Sequence, residues 1–259
     1  MNGVGNVEAP GAIILAAGKG TRMNSDLPKV CHPVGGRAMV CAVVDACIES
    51  GCDRIGVVVG YRQEKVREAL SEYAGRIEFV EQREQLGTGD AVKAASGLFA
   101  EESGRDVFVL CGDGPLIHVS TLSTVLETHR RTGASATLAT SVIDDPTGYG
   151  RIVRGAGGRF ERIVEQKNAT PEQLRIREVN PSYYCFRSGS LWRALAQLQV
   201  NPSSHEYYVT DVPAIMLSMG ERVEVIEAVP PEDVLSINTP AELALVDRIY
   251  RARIGGEQR

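Results

Sequence analysis

Short apolar runs rich in β-branched residues alternate with amphipathic stretches through the first half of the chain. Residues 12–15 are apolar throughout and end at a glycine-rich turn. Apolar positions then recur at helical spacing over 39–48, with Gly51 just beyond as a stop signal. RIGVVV at 54–59 predicts a fully buried strand, and 63–73 a helix whose exposed face carries most of its charges. A strand is predicted at 77–80, a helix at 90–99 and another buried strand, DVFVL, at 106–110. Strands alternating with helices of about 10–15 residues predict βαβ units and a parallel sheet. Their continuous apolar character predicts helices on both faces of that sheet.

Beyond about residue 134 the texture changes. Residues 136–142, 151–153, 160–164 and 178–186 are strand-like, separated by turns at DDPTGYG and GAGG. They predict a mixed or antiparallel extension laid against the first half, so 1–259 reads as one α/β domain. Its parts are a first half at about 10–133, a second half at 134–238 and a terminal helix at 239–253. Thr170-Pro171-x-Gln173 and Thr239-Pro240-x-Glu242 are capping boxes with proline at the first helical position. The last residues, GGEQR, are expected to fray.

Composition narrows the class. The 28 Lys and Arg against 33 Asp and Glu leave a formal charge of −5, which argues against a surface built to hold nucleic acid. Hydrophobic residues make up 43% and charged residues 24%, the balance of an ordinary globular chain. No apolar run approaches the roughly 20 residues that span a bilayer, and MNGVGNVEAPG has no signal-peptide pattern. Cysteines 31, 41, 47, 52, 111 and 185 form no C-x-x-C pair and no common zinc spacing, so reduced, mostly buried thiols are expected. A cytoplasmic protein is the expectation.

Three segments carry candidate chemistry. LAAGKGTRM, from Leu15 to Met23, follows the first strand, where open α/β sheets place their ligands. Gly18 and Gly20 let backbone N–H groups approach a phosphate, while Lys19 and Arg22 supply charge. A P-loop would need glycine at Ile13, and a dinucleotide fingerprint would need it at Met23. The loop instead continues through Asp26-Leu27-Pro28-Lys29, long enough to wrap a triphosphate, with Pro28 aiming Lys29 inward. The plain alternatives are a glycine turn and a solvated lysine.

Asp113, just past the DVFVL strand, sits where a carboxylate can hold Mg²⁺ against phosphates, or where a simple Asx-turn would place it. Asn238 precedes a helix capped by Thr239, which leaves its side chain free as a second metal ligand. In QREQLGTG, the Gln82 amide offers a donor and an acceptor suited to a pyrimidine imide, with Gly87 and Thr88 beside it. The alternative is a Thr88 helix cap after a Gly87 turn.

LAAGKGTRM with SDLPKV, then EQLGTGDAV, GDGPL, YGRIV, IVEQKNA, EVN and EYYVTD occur in this order across nearly the whole chain. Together they closely resemble the uridyltransferase half of the bacterial N-acetylglucosamine-1-phosphate uridyltransferases, which are sugar-nucleotide pyrophosphorylases. The resemblance implies a Rossmann-like nucleotide-diphospho-sugar transferase fold, with a mixed sheet and a smaller sugar-binding lobe. It implies that UTP and N-acetylglucosamine 1-phosphate give UDP-N-acetylglucosamine and pyrophosphate with Mg²⁺. Leu15, Ala16, Ala17, Gly18, Gly20 and Gly112 would line the nucleotide, and Arg22 and Lys29 would neutralise its phosphates. Gln82, Gly87 and Thr88 would read uracil, and Asp113 and Asn238 would hold the metal. Gly150, Glu165 and Asn180 would bind the sugar, with Tyr208 and Thr210 near its acyl group. The nucleophile is already anionic, so none of the four histidines is needed as a base.

Three departures bear on this. Cys111 stands where the family usually has tyrosine, Asp90 where it has histidine, and Pro181-Ser182 where a small pair such as Thr-Gly is expected. The nucleotide half is intact, whereas glucosamine 1-phosphate, glucose 1-phosphate or another sugar phosphate stay open as acceptors. Another pyrimidine nucleotide, or a non-catalytic sugar-nucleotide sensor of the same fold, are the further alternatives. The acetyltransferase repeats of the bifunctional members do not occur in this sequence. The expectation is therefore no acetyl transfer, and a monomer or weak homodimer.

Overall fold

The computed structural model describes residues 8–257; positions 1–7, part of the segment tested above for a signal pattern, and 258–259 of the tail lie outside them. The chain runs β1 (Gly11–Ala16), β2 (Pro33–Val34), β3 (Arg37–Ala38), α1 (Met39–Glu49), β4 (Arg54–Val59), α2 (Gln63–Ala69), β5 (Glu78–Glu81), α3 (Thr88–Ala94), β6 (Asp106–Cys111) and α4 (Val119–Thr132). It continues through β7 (Ala136–Val142), β8 (Gly150–Arg154), β9 (Phe160–Val164), α5 (Pro171–Leu174), β10 (Glu178–Arg187), α6 (Ser188–Leu195), α7 (Val212–Ser218), β11 (Val223–Glu227) and α8 (Pro240–Glu257).

The main sheet has the order β11-β7-β10-β6-β1-β4-β5, with β8 and β9 branching from β10. β6, β1, β4 and β5 are mutually parallel. β10 runs antiparallel to both β6 and β7, so one sheet continues unbroken from the first half into the second. Alternate residues of each strand face opposite layers, as a period of two requires. In β1, Ala12, Ile14 and Ala16 join the core under α1 and α4, while Ile13 joins the core under α3, α6 and α7. A smaller cluster of Met23, Val34, Met39, Leu116, Ile237 and Val246 fastens α8 to the β2–β3 hairpin.

Several elements differ from the expectation. The predicted helix at 63–73 is α2 followed by a 3₁₀ turn at Ser71–Tyr73, and that at 90–99 is α3 followed by a 3₁₀ turn at Ala95–Phe99. The terminal helix passes 253 and includes Gly255 and Gly256, so GGE is helical instead of frayed. α4, α6, α7 and β11, which the sequence pattern does not predict, complete the layers, and the β2–β3 hairpin is likewise unpredicted. α4 has a visible signature: Leu122, Val125 and His129 are buried at helical spacing, and Gly133 closes it with φ 64°. No helix among the described residues is long and apolar enough to cross a membrane.

Candidate active site

Parallel strands β1, β4, β5 and β6 end together, at Ala16, Val59, Glu81 and Cys111, and Leu15 pairs directly with Cys111. The loops that follow therefore share one edge of the sheet, where β1 and β6 diverge in connection. Because β10 is antiparallel, its beginning lies at that same edge: Tyr183 pairs with Leu110 of β6, and Asn180 with Gly150 of β8. One reversed strand is what brings the second half's motifs beside the first half's loops.

Two clefts open there. One of about 280 Å³ is lined by Leu15, Ala16, Ala17, Gly18, Lys29, Gln82, Gly87, Thr88, Cys111 and Asp113, with Val30, Gln85, Ala91, Glu206 and Tyr208. A second, of about 140 Å³, is lined by Arg22, Gly148, Tyr149, Gly150, Glu165, Asn180, Pro181, Ser182, Ser236 and Asn238, and again by Cys111 and Asp113. Cys111 and Asp113 thus stand where the two meet.

The first cleft has a rigid frame. The 17–29 loop makes only 3₁₀ turns, at Thr21–Met23 and Lys29–Cys31, so no helix follows the glycines. Gly20, at φ 69°, lies against Lys29: a Cβ there would come within 2.5 Å of the lysine Cβ. Gly112 packs its amide on the Leu15 carbonyl at 2.9 Å. Neither glycine is among the residues lining this cleft; both let strands and loops pack closely behind it. Gly87 initiates α3 at φ 108°, ψ 177°, and Thr88 does not cap the helix. Instead the Thr88 hydroxyl accepts from the Val209 N–H at 3.0 Å, and the Gly89 N–H donates to the Tyr207 carbonyl at 2.8 Å.

At the junction two cations and two oxygen donors converge. Arg22 and Lys29 both donate to Oδ1 of Asn238, at 2.8 and 2.9 Å, and Lys29 is also ion-paired with Asp113. The Ile237 N–H donates to the Asp113 carbonyl at 3.2 Å, which fixes the two segments side by side. Asn238 is free to do this because Thr239 and Glu242 form the α8 capping box: the Glu242 carboxylate accepts from the N–H groups of Asn238 and Thr239. Burial and the Asp113 charge push the Cys111 thiol up to about 12, so it stays protonated.

In the second cleft, burial lifts the Glu165 carboxyl above its usual range, opposed by the Thr210 hydroxyl, which donates to it at 3.0 Å. Thr210 is buried and reaches the cleft only through Glu165, while Tyr208 faces the first cleft. Asn180 has its amide engaged: Nδ2 donates to the Tyr184 hydroxyl at 2.6 Å, and Oδ1 accepts from the Ser182 N–H at 3.2 Å. Ser182 follows Pro181 in a bulge of β10 at φ 68°, a left-handed conformation that suits glycine. Ser182→Gly is expected to stabilise the protein by about 0.5–1 kcal/mol, read as a higher denaturation midpoint with unchanged slope. A lower midpoint would show that the serine hydroxyl outweighs the backbone strain.

Gln85, Glu206 and Tyr149 line the clefts without having been singled out from the sequence. Gln85 and Tyr149 lie inside the quoted QREQLGTG and DDPTGYG segments, where polar residues beside glycines were the available signal. Glu206 opens the quoted EYYVTD segment, and the tie between Tyr207 and Leu86, at 2.7 Å, brings it to the first cleft.

Comparison with known proteins places this arrangement. A bifunctional protein GlmU from Shouchella clausii is 44% identical over 246 residues, covering 95% of this chain and 53% of the relative. Another, from Geobacter metallireducens, is 43% identical over 248 residues, covering 95% and 51%. A third, from Desulfotalea psychrophila, is 42% identical over 241 residues, covering 93% and 70%. The chain thus spans about half the length of the first two. A UDP-glucose pyrophosphorylase structure with UDP-glucose superposes with a TM-score of 0.75, covering 95% of this chain and 100% of that one. At 15% identity that likeness speaks for the fold alone. The nucleotidyl transferase family model matches residues 11–229, from the first strand of the sheet through the last. The chain belongs to the nucleotidyl transferase family.

Proposed function

We propose that the chain transfers UMP from UTP to N-acetylglucosamine 1-phosphate, releasing pyrophosphate. The observation that carries this is the meeting of the two clefts at Asp113, with Arg22, Lys29 and Asn238 around it. The QREQLGTG loop borders one cleft and the YGRIV, IVEQK and EVN residues border the other, as a nucleotide donor and a sugar acceptor require. Relatives at 42–44% identity support the same reading.

The reaction forms a bond from a sugar-phosphate oxygen to the α-phosphorus and breaks the bond from that phosphorus to the pyrophosphate. The nucleophile is anionic near neutral pH, so the barrier is repulsion and alignment, and no proton need be removed. Lys29, at the wall of the nucleotide cleft, and Arg22, at the wall of the sugar cleft, converge on the junction and neutralise the two anions there. Glu165, held by Thr210, orients the sugar hydroxyls.

A divalent metal fits the junction. Asp113 offers a carboxylate oxygen and Asn238 an amide oxygen, and the Lys29 ammonium already bridges this pair of hard donors. Among the described residues no group of three or more His, Cys, Asp and Glu forms a metal cage. Mg²⁺ commonly takes one or two protein oxygens and completes its shell with phosphates and water. Bound there, it would offset the charge of the triphosphate and of the departing pyrophosphate.

The Asn180 amide, bonded to Tyr184 and Ser182, and the Pro181-Ser182 bulge favour a second reading, in which the acceptor is glucosamine 1-phosphate, glucose 1-phosphate or another hexose 1-phosphate. Pyrophosphate release measured across these acceptors with UTP separates the two. N-acetylglucosamine 1-phosphate is expected to give the highest kcat/KM. Turnover with glucose 1-phosphate alone would overturn that acceptor.

A further inference from the structure

Gln82 is 4% exposed, and its backbone is pinned on both sides: its N–H donates to the Val59 carbonyl at 2.8 Å and its carbonyl accepts from Gln85 at 3.1 Å. Its side-chain nitrogen makes two further bonds, to the Gly87 carbonyl at 3.0 Å and to Oδ2 of Asp90 at 2.8 Å. A carboxamide nitrogen has two hydrogens, and both are used. Asp90 lies behind Gln82 and does not line the nucleotide cleft; it faces outer grooves beside Leu86 and Lys93.

We infer that Asp90 is a positioning residue that fixes the Gln82 carboxamide with its oxygen toward the nucleotide, so that the cleft selects a base carrying an edge N–H. The inference rests on the reading that this cleft holds a pyrimidine nucleotide. A carboxylate only accepts hydrogen bonds, so turning the amide over would set its oxygen against Asp90 and leave a buried donor pair facing away from their acceptors. The orientation is therefore held by two groups that only accept, the Gly87 carbonyl and the Asp90 carboxylate, and the group offered to the base is an acceptor. Uracil and thymine present N3–H to such a group, whereas N3 of cytosine is itself an acceptor and is refused. A neutral residue at position 90 that can either donate or accept would leave the Gly87 carbonyl as the one remaining group that favours this direction.

The test compares UTP with CTP in pyrophosphate release for the wild type, Asp90→Asn and Asp90→Ala, each at a saturating sugar 1-phosphate. Expected is a strong wild-type preference for UTP, and a fall of about tenfold or more in the UTP-to-CTP ratio of kcat/KM in both variants. Asp90→Asn keeps the shape, so it reports even where the alanine variant folds poorly. If both nucleotides lose activity together and the ratio holds, Asp90 merely supports the loop and the inference fails. A wild type without preference for UTP would overturn the uridine reading itself, independently of the variants.

Discussion

Asp113→Asn is expected to lower kcat by about a thousandfold while leaving the fold intact. The substitution keeps the shape of the side chain and removes the one charge that both clefts share. Its backbone carbonyl, which accepts from Ile237, is unaffected, so the 237–238 segment should keep its place. The circular dichroism spectrum should match the wild type and the unfolding free energy should stay within about 2 kcal/mol of it, because asparagine keeps the side chain's shape and Lys29 keeps its bond to Asn238. Turnover close to the wild type would remove Asp113 from the reaction. Equal loss of UTP binding and of kcat would instead make it a substrate-binding group.

Gly87→Ala is expected to cost about 3 kcal/mol of stability and to raise the KM for UTP at least about tenfold. Gly87 holds φ 108°, ψ 177°, a region that essentially only glycine occupies. An added Cβ would lie 2.5 Å from the Tyr207 carbonyl oxygen and 2.8 Å from its nitrogen. Both are backbone atoms, and each is already bonded to the same loop, the oxygen to Gly89 and the nitrogen to Leu86. They cannot retreat without undoing the tie that closes the nucleotide cleft. Denaturation midpoints and UTP titration read the two effects. A variant as stable as the wild type would show that the 82–89 loop does not depend on this clasp.

Much of this architecture is legible in the sequence, for reasons that differ by element. Strands β1, β4 and β6 are buried on both faces, so their unbroken apolar runs are unambiguous. The chemistry of the first cleft sits in loops directly after those strands, which is why Gly18, Lys29 and Asp113 could be placed from order alone. Thr239 and Glu242 identified their own capping box, and so left Asn238 over for another role. Long-range pairing is what local pattern does not carry. That Thr210 addresses Glu165, that Tyr208 faces the nucleotide side, and that Gln82 spends its nitrogen on Asp90 all follow from contacts between distant or folded-back segments. The sugar motif's departure at Ser182 is visible as a letter, but its meaning, a left-handed turn without a glycine, emerges only from the backbone.

The most direct test of two clefts acting across one junction is to follow the phosphorus of both substrates together. UTP, N-acetylglucosamine 1-phosphate and Mg²⁺ are mixed with the protein and monitored by ³¹P NMR. The triphosphate and sugar-phosphate signals are expected to decline together while a UDP-sugar and pyrophosphate rise in equal amounts. UTP that binds yet yields no UDP-sugar with any hexose 1-phosphate would contradict the proposed transfer.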